Sequence, residues 1–492
     1  MKFLSTRGKD FAKCSAEAIT KGLASDGGLF VPETFPFVYD KIDSLLEMDY
    51  AERACEVIGS FLTEYDKEKL LSACKKAYDR FEESDPAPLV RVDDNLYIME
   101  LFHGPTLAFK DVALTLLPFL LREGATISGI KEEILILVAT SGDTGKAALS
   151  GFQDAEGIKI MVFFPSEGVS DMQKLQMCTQ EGNNVNVVAV EGNFDDCQTA
   201  VKKIFADKEY NKLLKEKGIV LSSANSINFG RLVPQITYYF SAYCDMINAG
   251  EIEKGEMVNF TVPTGNFGNI LAGYYAKKMG LPINKLICAS NSNNVLTEFF
   301  ANGTYDANRE FYKTTSPSMD ILISSNLERL IFELSNRDAI LTAKKMEELK
   351  VKGKYEISNE QLEKLESEFF ADFTDEEEVE ETIAEFFDEY GYVLDPHTAV
   401  AINVQQKYNS YNDDECKNVV LSTASPYKFP QSVLKAIVGK NINDAFDASK
   451  KLENETGMPI PDAILGLNKK QKRFNKVIDR EKTLEAVNEL IK

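Results

Sequence analysis

Histidine is nearly absent from this chain, with two residues in 492, and a histidine-rich metal site is excluded with it. No two cysteines have C-x-x-C spacing. The eight (Cys14, Cys55, Cys74, Cys178, Cys197, Cys244, Cys288 and Cys416) are scattered, and in a chain of this size they read as reduced thiols of a cytoplasmic protein. No run approaches the roughly 20 apolar residues of a membrane span. The N-terminus also lacks a basic–apolar–small signal pattern. Cations are outnumbered, with 55 Lys and Arg against 77 Asp and Glu, for a net charge of −22. That balance argues against a nucleic-acid or anionic-membrane partner. Any anionic ligand must therefore be held locally, by a few placed cations and backbone N–H groups. There is no internal repeat and no low-complexity linker.

Two nucleotide-binding patterns are also missing. A P-loop ending at Gly145-Lys146 would need glycine at 140 and a hydroxyl at 147, where the chain has Thr140 and Ala147. No glycine-rich turn supplies G-x-G-x-x-G.

What is present is an ordinary globular composition, 44% hydrophobic and 27% charged, long enough for two to four domains. Apolar β-rich runs predict strands at 134–140, 159–164, 185–190, 219–223, 258–262, 285–289 and 418–422. Helical patterns at 145–152, 172–181, 194–205, 228–247 and 269–279 follow most of them. Continuous apolar strands alternating with helices predict an α/β fold of open parallel sheets, with ligands at the carboxyl ends of strands. The first 90 or so residues read as mostly helical. Helical patterns also dominate from about 300 to 390, where Thr374 and Glu377 read as a capping box over an acidic, solvated face.

Three segments carry chemistry. His103-Gly104-Pro105-Thr106-Leu107-Ala108-Phe109-Lys110-Asp111 is a turn running into an apolar stretch, read as one helix over 107–121 with Thr106 as its N-cap. Lys110 then falls in the first turn, where the helix dipole and desolvation both disfavour the ammonium. Two fates are open to it: snorkelling to solvent, or acting as a buried nucleophilic amine suited to a Schiff base with an aldehyde cofactor. Ser141-Gly142-Asp143-Thr144-Gly145 and Gly265-Asn266-Phe267-Gly268-Asn269 each follow a strand and open a helix, making two anion cradles or simply two tight turns. Ser226, Asn228 and Arg231 open a further apolar helix, with Arg231 available to a phosphate, a carboxylate or a surface acid. Ser422 to Pro426 ends a strand in small hydroxyl residues.

Taken in order, H-G-P-T-L-A-F-K-D, S-G-D-T-G and G-N-F-G-N resemble the threonine synthases among the fold-type II pyridoxal-phosphate enzymes. Further segments resemble the longer form of that family: Ser5 to Gly8, Gly22 to Leu29, Ser316 to Leu322, Asp395 to Val400 and Ser422 to Phe429. The resemblance covers nearly the whole chain. It implies a tryptophan synthase β-like architecture of two open parallel-sheet domains plus a helical N-terminal domain. The expected boundaries are 1–90 helical; 91–141 with 236–440 cofactor-binding, including a helical insertion at about 300–390; 142–235 small and mobile; and 441–492 helical.

The resemblance also implies pyridoxal 5′-phosphate as cofactor and conversion of O-phospho-L-homoserine and water to L-threonine and phosphate. Lys110 would hold the cofactor and then move protons, beside Phe109 and Asp143. The turn Gly265, Asn266, Phe267, Gly268, Asn269 would cradle the cofactor phosphate, and Thr423 would lie against the pyridine nitrogen. Ser141, Gly142, Asp143 and Thr144 would hold the substrate carboxylate, and Lys146, Asn228 and Arg231 the substrate phosphate. Asp143 stands where shorter relatives carry asparagine, and a carboxylate there calls for a proton or a cation nearby. The related alternative is a phospho-lyase releasing a keto acid, ammonia and phosphate, with the same cofactor residues.

Overall fold

A computed structural model describes residues 1–140, 142–167 and 169–491, the side chains of Phe194 and Asp195 excepted. The chain opens with a small antiparallel sheet, β1 (Phe3–Ser5), β2 (Phe11–Ala12) and β3 (Phe30–Pro32), in the order β2-β1-β3. Around it lie the helices Ser15–Lys21, Ile42–Leu46, Tyr50–Gly59 and Lys67–Tyr78. The expected helical character of this region is therefore right for the helices but omitted the sheet.

Two larger sheets follow. Their strands are β4 (Leu89–Arg91), β5 (Leu96–Glu100), β6 (Glu133–Ala139), β7 (Ile158–Pro165), β8 (Val185–Glu191), β9 (Ile219–Ser222), β10 (Val258–Pro263) and β11 (Ile283–Ser290). After the short pair β12 (Thr304–Asp306) and β13 (Lys354–Glu356) come β14 (Phe369–Phe373), β15 (Lys417–Ser422) and β16 (Val477–Asp479). The larger sheet has the order β14-β11-β10-β15-β5-β4 and is parallel except for β4, which runs antiparallel to β5. The smaller sheet, β16-β8-β7-β6-β9, is parallel throughout. All seven expected strands are present, because long β-branched runs buried on both faces leave little else for the backbone to do.

Four features differ from the sequence-based expectations. Strand β6, expected just before a domain boundary at 141, is an inner strand of the smaller sheet. Strand β14 interrupts the stretch expected to be helical. The C-terminal segment adds β16 to the smaller sheet beside β8, as well as two helices. The capping box belongs to Asp375 and Glu378, one residue on from Thr374 and Glu377: Asp375 accepts from both Glu377 N and Glu378 N, while the Thr374 hydroxyl turns to Val400 O.

The helix Phe229–Asn248 runs through the core with 17 of its 20 residues buried, and the helices Lys110–Leu114 and Gly268–Lys278 pack on it. The helix Asp143–Gly151 crosses Lys110–Leu114 so closely that a Cβ at Gly151 would lie 2.1 Å from Leu114 O. That contact, possible only for glycine, fixes how a helix of the smaller-sheet unit meets a helix of the larger one.

Candidate active site

The segment around Lys110 is not one helix. It forms two, Lys110–Leu114 and Leu117–Ile127, and Phe109 takes the cap position without a side-chain bond. Thr106 is not a cap either. Its N–H and its hydroxyl both donate to Asp111, at 2.7 and 2.6 Å, so the carboxylate reaches back and closes the turn. Phe109 N donates to Thr423 O and Ser425 N to Leu107 O, which ties this turn to the end of β15. Lys110, Phe109 and Thr423 are thereby gathered at one sheet edge. The Lys110 Nζ stands 5.2 Å from the Phe109 ring centroid.

Lys110 is buried enough for desolvation to dominate. Its ammonium is pushed down from 10.5 to about 8, with Lys428 and Arg231 adding repulsion and Asp143 opposing them. Nζ donates to Ser318 Oγ at 3.4 Å and stands 3.7 Å from Asp143 Oδ2. The Lys110 side chain therefore does not snorkel out to solvent but stays largely enclosed, 12% exposed.

Asp143 has the cation it requires. Lys428 Nζ lies 2.8 Å from its Oδ1, Gln173 Nε2 donates to the same oxygen at 2.9 Å, and Ser318 Oγ donates to Oδ2 at 3.0 Å. These neighbours hold the Asp143 carboxyl well below the usual carboxylate range despite complete burial. Gly142 and Thr144 flank it at the start of the helix Asp143–Gly151, where the Thr140 hydroxyl accepts from Gly142 N and Gly145 N, both at 3.0 Å, and leaves the N–H groups of Asp143 and Thr144 to face an anion. Ser141 lies outside the described residues.

The second turn is built as a cradle. Its carbonyls are drawn outward: Gly265 O accepts from Ser324 Oγ, and Asn266 O accepts from Asn326 N and Nδ2. Phe267 sits in the left-handed region at φ 60°, and the helix Gly268–Lys278 starts there with no side-chain cap. The first N–H groups of that helix are thus turned to whatever anion the loop receives. Asn269 accepts from the Tyr238 and Tyr239 hydroxyls on Oδ1, while its Nδ2 is buried without a partner. Gly265 packs so tightly on the Ser318 loop that a Cβ would come within 3.0 Å of Ser318 O.

The three residues expected at the substrate phosphate part company. Arg231 is buried, donates through Nη1 to Ala224 O at 2.9 Å and leaves Nε unpartnered; burial lowers its guanidinium to about 10. Lys146 is partly buried, donates to Gln180 Oε1 at 2.6 Å and is pushed down to about 8 by desolvation and by Lys470. Asn228 is not available to a ligand. Its Oδ1 caps the helix Phe229–Asn248 through Gly230 N, and its Nδ2 donates to Ile19 O and Ser223 O. That correction has a simple cause, since every polar atom of the side chain is already spent inside the fold.

Four contributors escaped the sequence reading. Lys428, Ser318 and Gln173 surround Asp143, and His397 accepts Ser318 N–H on Nε2 at 3.2 Å while its Nδ1 bonds Asp395 at 2.8 Å. Lys428, Ser318 and His397 lie in segments quoted above for the resemblance, and the demand of Asp143 for a proton or a cation signalled a partner without naming it. Among the described residues no cluster of His, Cys, Asp and Glu could hold a metal, the eight cysteines are free thiols, and no helix is long and apolar enough to cross a membrane.

A low-pKa lysine, a helix start whose cap residue makes no side-chain bond and an orphaned buried donor, Asn269 Nδ2, fit an aldehyde cofactor bearing a phosphate. Residues 83–422 match the family described as "Pyridoxal-phosphate dependent enzyme", so fold and site define a fold-type II pyridoxal-phosphate enzyme. Residues 2–78 match "Threonine synthase N terminus" and 398–491 "Threonine synthase, C-terminal". The threonine synthase of Pseudomonas aeruginosa is 40% identical over 89% of this chain and 91% of its own length. A pyridoxal-phosphate-bound threonine synthase structure from Brucella melitensis superposes with a TM-score of 0.88 at 39% identity, covering 100% of this chain and 98% of that one. Human "Threonine synthase-like 1" is 42% identical over 94% of this chain, which spans 63% of that relative's length. The chain belongs to the threonine synthase family.

Proposed function

We propose that this protein converts O-phospho-L-homoserine and water to L-threonine and inorganic phosphate, the last step of threonine biosynthesis, in the cytoplasm. The observation that carries the reading is Lys110 itself, a largely enclosed amine whose ammonium desolvation lowers to about 8, 3.7 Å from a carboxylate already neutralised by Lys428. Pyridoxal phosphate held by Lys110, Asn269 and the Gly265–Gly268 turn would supply the electron sink for proton removal from the substrate's Cα and Cβ. Lys110 would carry those protons: as the Cγ–O bond breaks and phosphate leaves with its electron pair, one proton would go to Cγ, water would add its hydroxyl to Cβ and give its other proton to the phosphate, and the last proton would return to Cα. The N–H groups of Asp143 and Thr144 suit the substrate carboxylate, that of Gly142 being taken by the Thr140 hydroxyl. Arg231 suits the departing phosphate, because its charge is buried with no carboxylate to oppose it among the described residues. Closure of the smaller-sheet unit onto the larger one would exclude water until phosphate leaves.

The 42% identity to Threonine synthase-like 1 supports a second reading, elimination of phosphate with release of 2-oxobutyrate and ammonia. Product analysis on O-phospho-L-homoserine separates the two. Equal threonine and phosphate are expected, with both lost in Lys110→Ala; phosphate with 2-oxobutyrate and no threonine would replace the synthase by the lyase.

A further inference from the structure

Asp143 and Lys428 form an ion pair at the centre of the site, yet neither lies on the element that carries Lys110. Asp143 opens a helix of the smaller-sheet unit, and Gln173, which bonds it, starts the next helix of that unit. Lys428 ends a short 3-10 turn, Pro426–Lys428, after β15 of the larger sheet. Its side chain is 0% exposed, and its ammonium is held by two acceptors, Asp143 Oδ1 at 2.8 Å and Thr106 O at 2.8 Å. Asp143 therefore has two cations within 4 Å, Lys428 at 2.8 Å and Lys110 at 3.7 Å.

Charge counting gives the consequence. With one carboxylate and one ammonium, a buried pair holds its proton on the amine, because neutralising the amine would strand the carboxylate. With a second, closer ammonium, the carboxylate is satisfied and the more distant amine is the surplus charge. The other groups facing Lys110 do not reverse this: Arg231 adds repulsion, and Asp111, the remaining carboxylate, is engaged by both donors of Thr106. Lys428 in turn faces Asp143, Asp111 and Lys146.

We propose that Lys428 is a positioning residue that neutralises Asp143, and thereby frees Lys110 to act as an uncharged amine. The pair also explains why a carboxylate is tolerated at position 143. The inference rests on the Schiff-base role of Lys110 given above but not on the identity of the product.

The test traps Lys110 directly. Full-length protein freed of cofactor is pulsed with pyridoxal and borohydride between pH 6 and 10, and labelling of the Lys110 peptide is measured by mass spectrometry, with circular dichroism as the folding control. Lys428→Met is expected to move the labelling midpoint up by at least one pH unit, a roughly tenfold loss of labelling near neutrality. Asp143→Asn should move it down, Lys428→Arg should leave it in place, and the Asp143→Asn/Lys428→Met double variant should return it to the wild-type value. A Lys428→Met midpoint equal to that of wild type in folded protein would overturn the proposal. Should Lys428→Met alone fail to fold, the double variant decides: a midpoint no higher than that of Asp143→Asn refutes the role of Lys428. Labelling absent from Lys110 in every protein would instead remove the Schiff-base reading itself.

Discussion

Lys110 Nζ and Asp143 Oδ2 stand 3.7 Å apart, joined by the Ser318 hydroxyl, which accepts from the first and donates to the second. The lysine nevertheless titrates below its ordinary range, at about 8 against 10.5, since burial outweighs the attraction. In the window from 8 to 10.5 the unfolded chain keeps a proton that the folded chain has released, so this group's contribution to stability rises with pH there. Below 8 both states are charged and the folded state bears the full cost of a buried cation. Lys110→Met in cofactor-free protein is thus expected to raise the melting temperature at pH 7, with the gain shrinking towards pH 10. Over the same range, Schiff-base trapping in the parent protein should rise about tenfold from pH 7 to pH 9. A gain in melting temperature that is flat with pH would contradict the assignment.

Asn228 looks like a ligand in the sequence and is a cap in the structure. Asn228→Ala removes the bond to Gly230 N and strands the carbonyls of Ile19 and Ser223, at a cost of about 2 kcal/mol. Urea denaturation should register that loss, while phosphate affinity of the folded protein stays within twofold. A tenfold weaker phosphate affinity at unchanged stability would restore Asn228 to the ligand site.

That misreading shows where sequence reasoning stops. An asparagine at a helix start has the same neighbours in sequence whether it caps or binds, and only the position of Ile19 and Ser223 in space decides. The strands β6, β7, β8, β10 and β15 were legible because each is a β-branched run bounded by turns. Strand β14, Phe369–Phe373, was not: it leaves the helix Asn359–Glu368 with no glycine or proline between. Lys110 and the two glycine turns were legible as local motifs. Lys428, Ser318 and Gln173 were not, because they meet Asp143 from three remote parts of the chain. Thr106 was misjudged because Asp111, five residues later, took its hydroxyl.

The turn at Gly265 has no room for a side chain. Its missing Cβ would meet Ser318 O at 3.0 Å and Met319 Cα at 3.1 Å, both backbone atoms that cannot rotate away. Gly265→Ala must shift either the phosphate cradle or the loop that presents Ser318 to Asp143. Equilibrium dialysis should show cofactor affinity falling about tenfold, with the melting temperature of the cofactor-free protein nearly unchanged. Unaltered affinity would mean that the turn does not hold the cofactor phosphate.

Arg231 gives the prediction in which stability and binding move in opposite directions. Its guanidinium is buried, lowered to about 10 by desolvation, and bonded only to a backbone carbonyl, with no carboxylate paired to it among the described residues. An uncompensated buried cation destabilises the protein that carries it, unless an anion arrives. Arg231→Met, tested in cofactor-loaded protein, should therefore melt higher than its parent when phosphate is absent. Adding inorganic phosphate should stabilise the parent, by about 2.7 kcal/mol at a hundredfold excess over the dissociation constant, and leave the variant where it was. Had Arg231 a purely structural role, the variant would melt lower and respond to phosphate as its parent does. The site is strained towards its ligand, and only the group that bears the strain shows both effects at once.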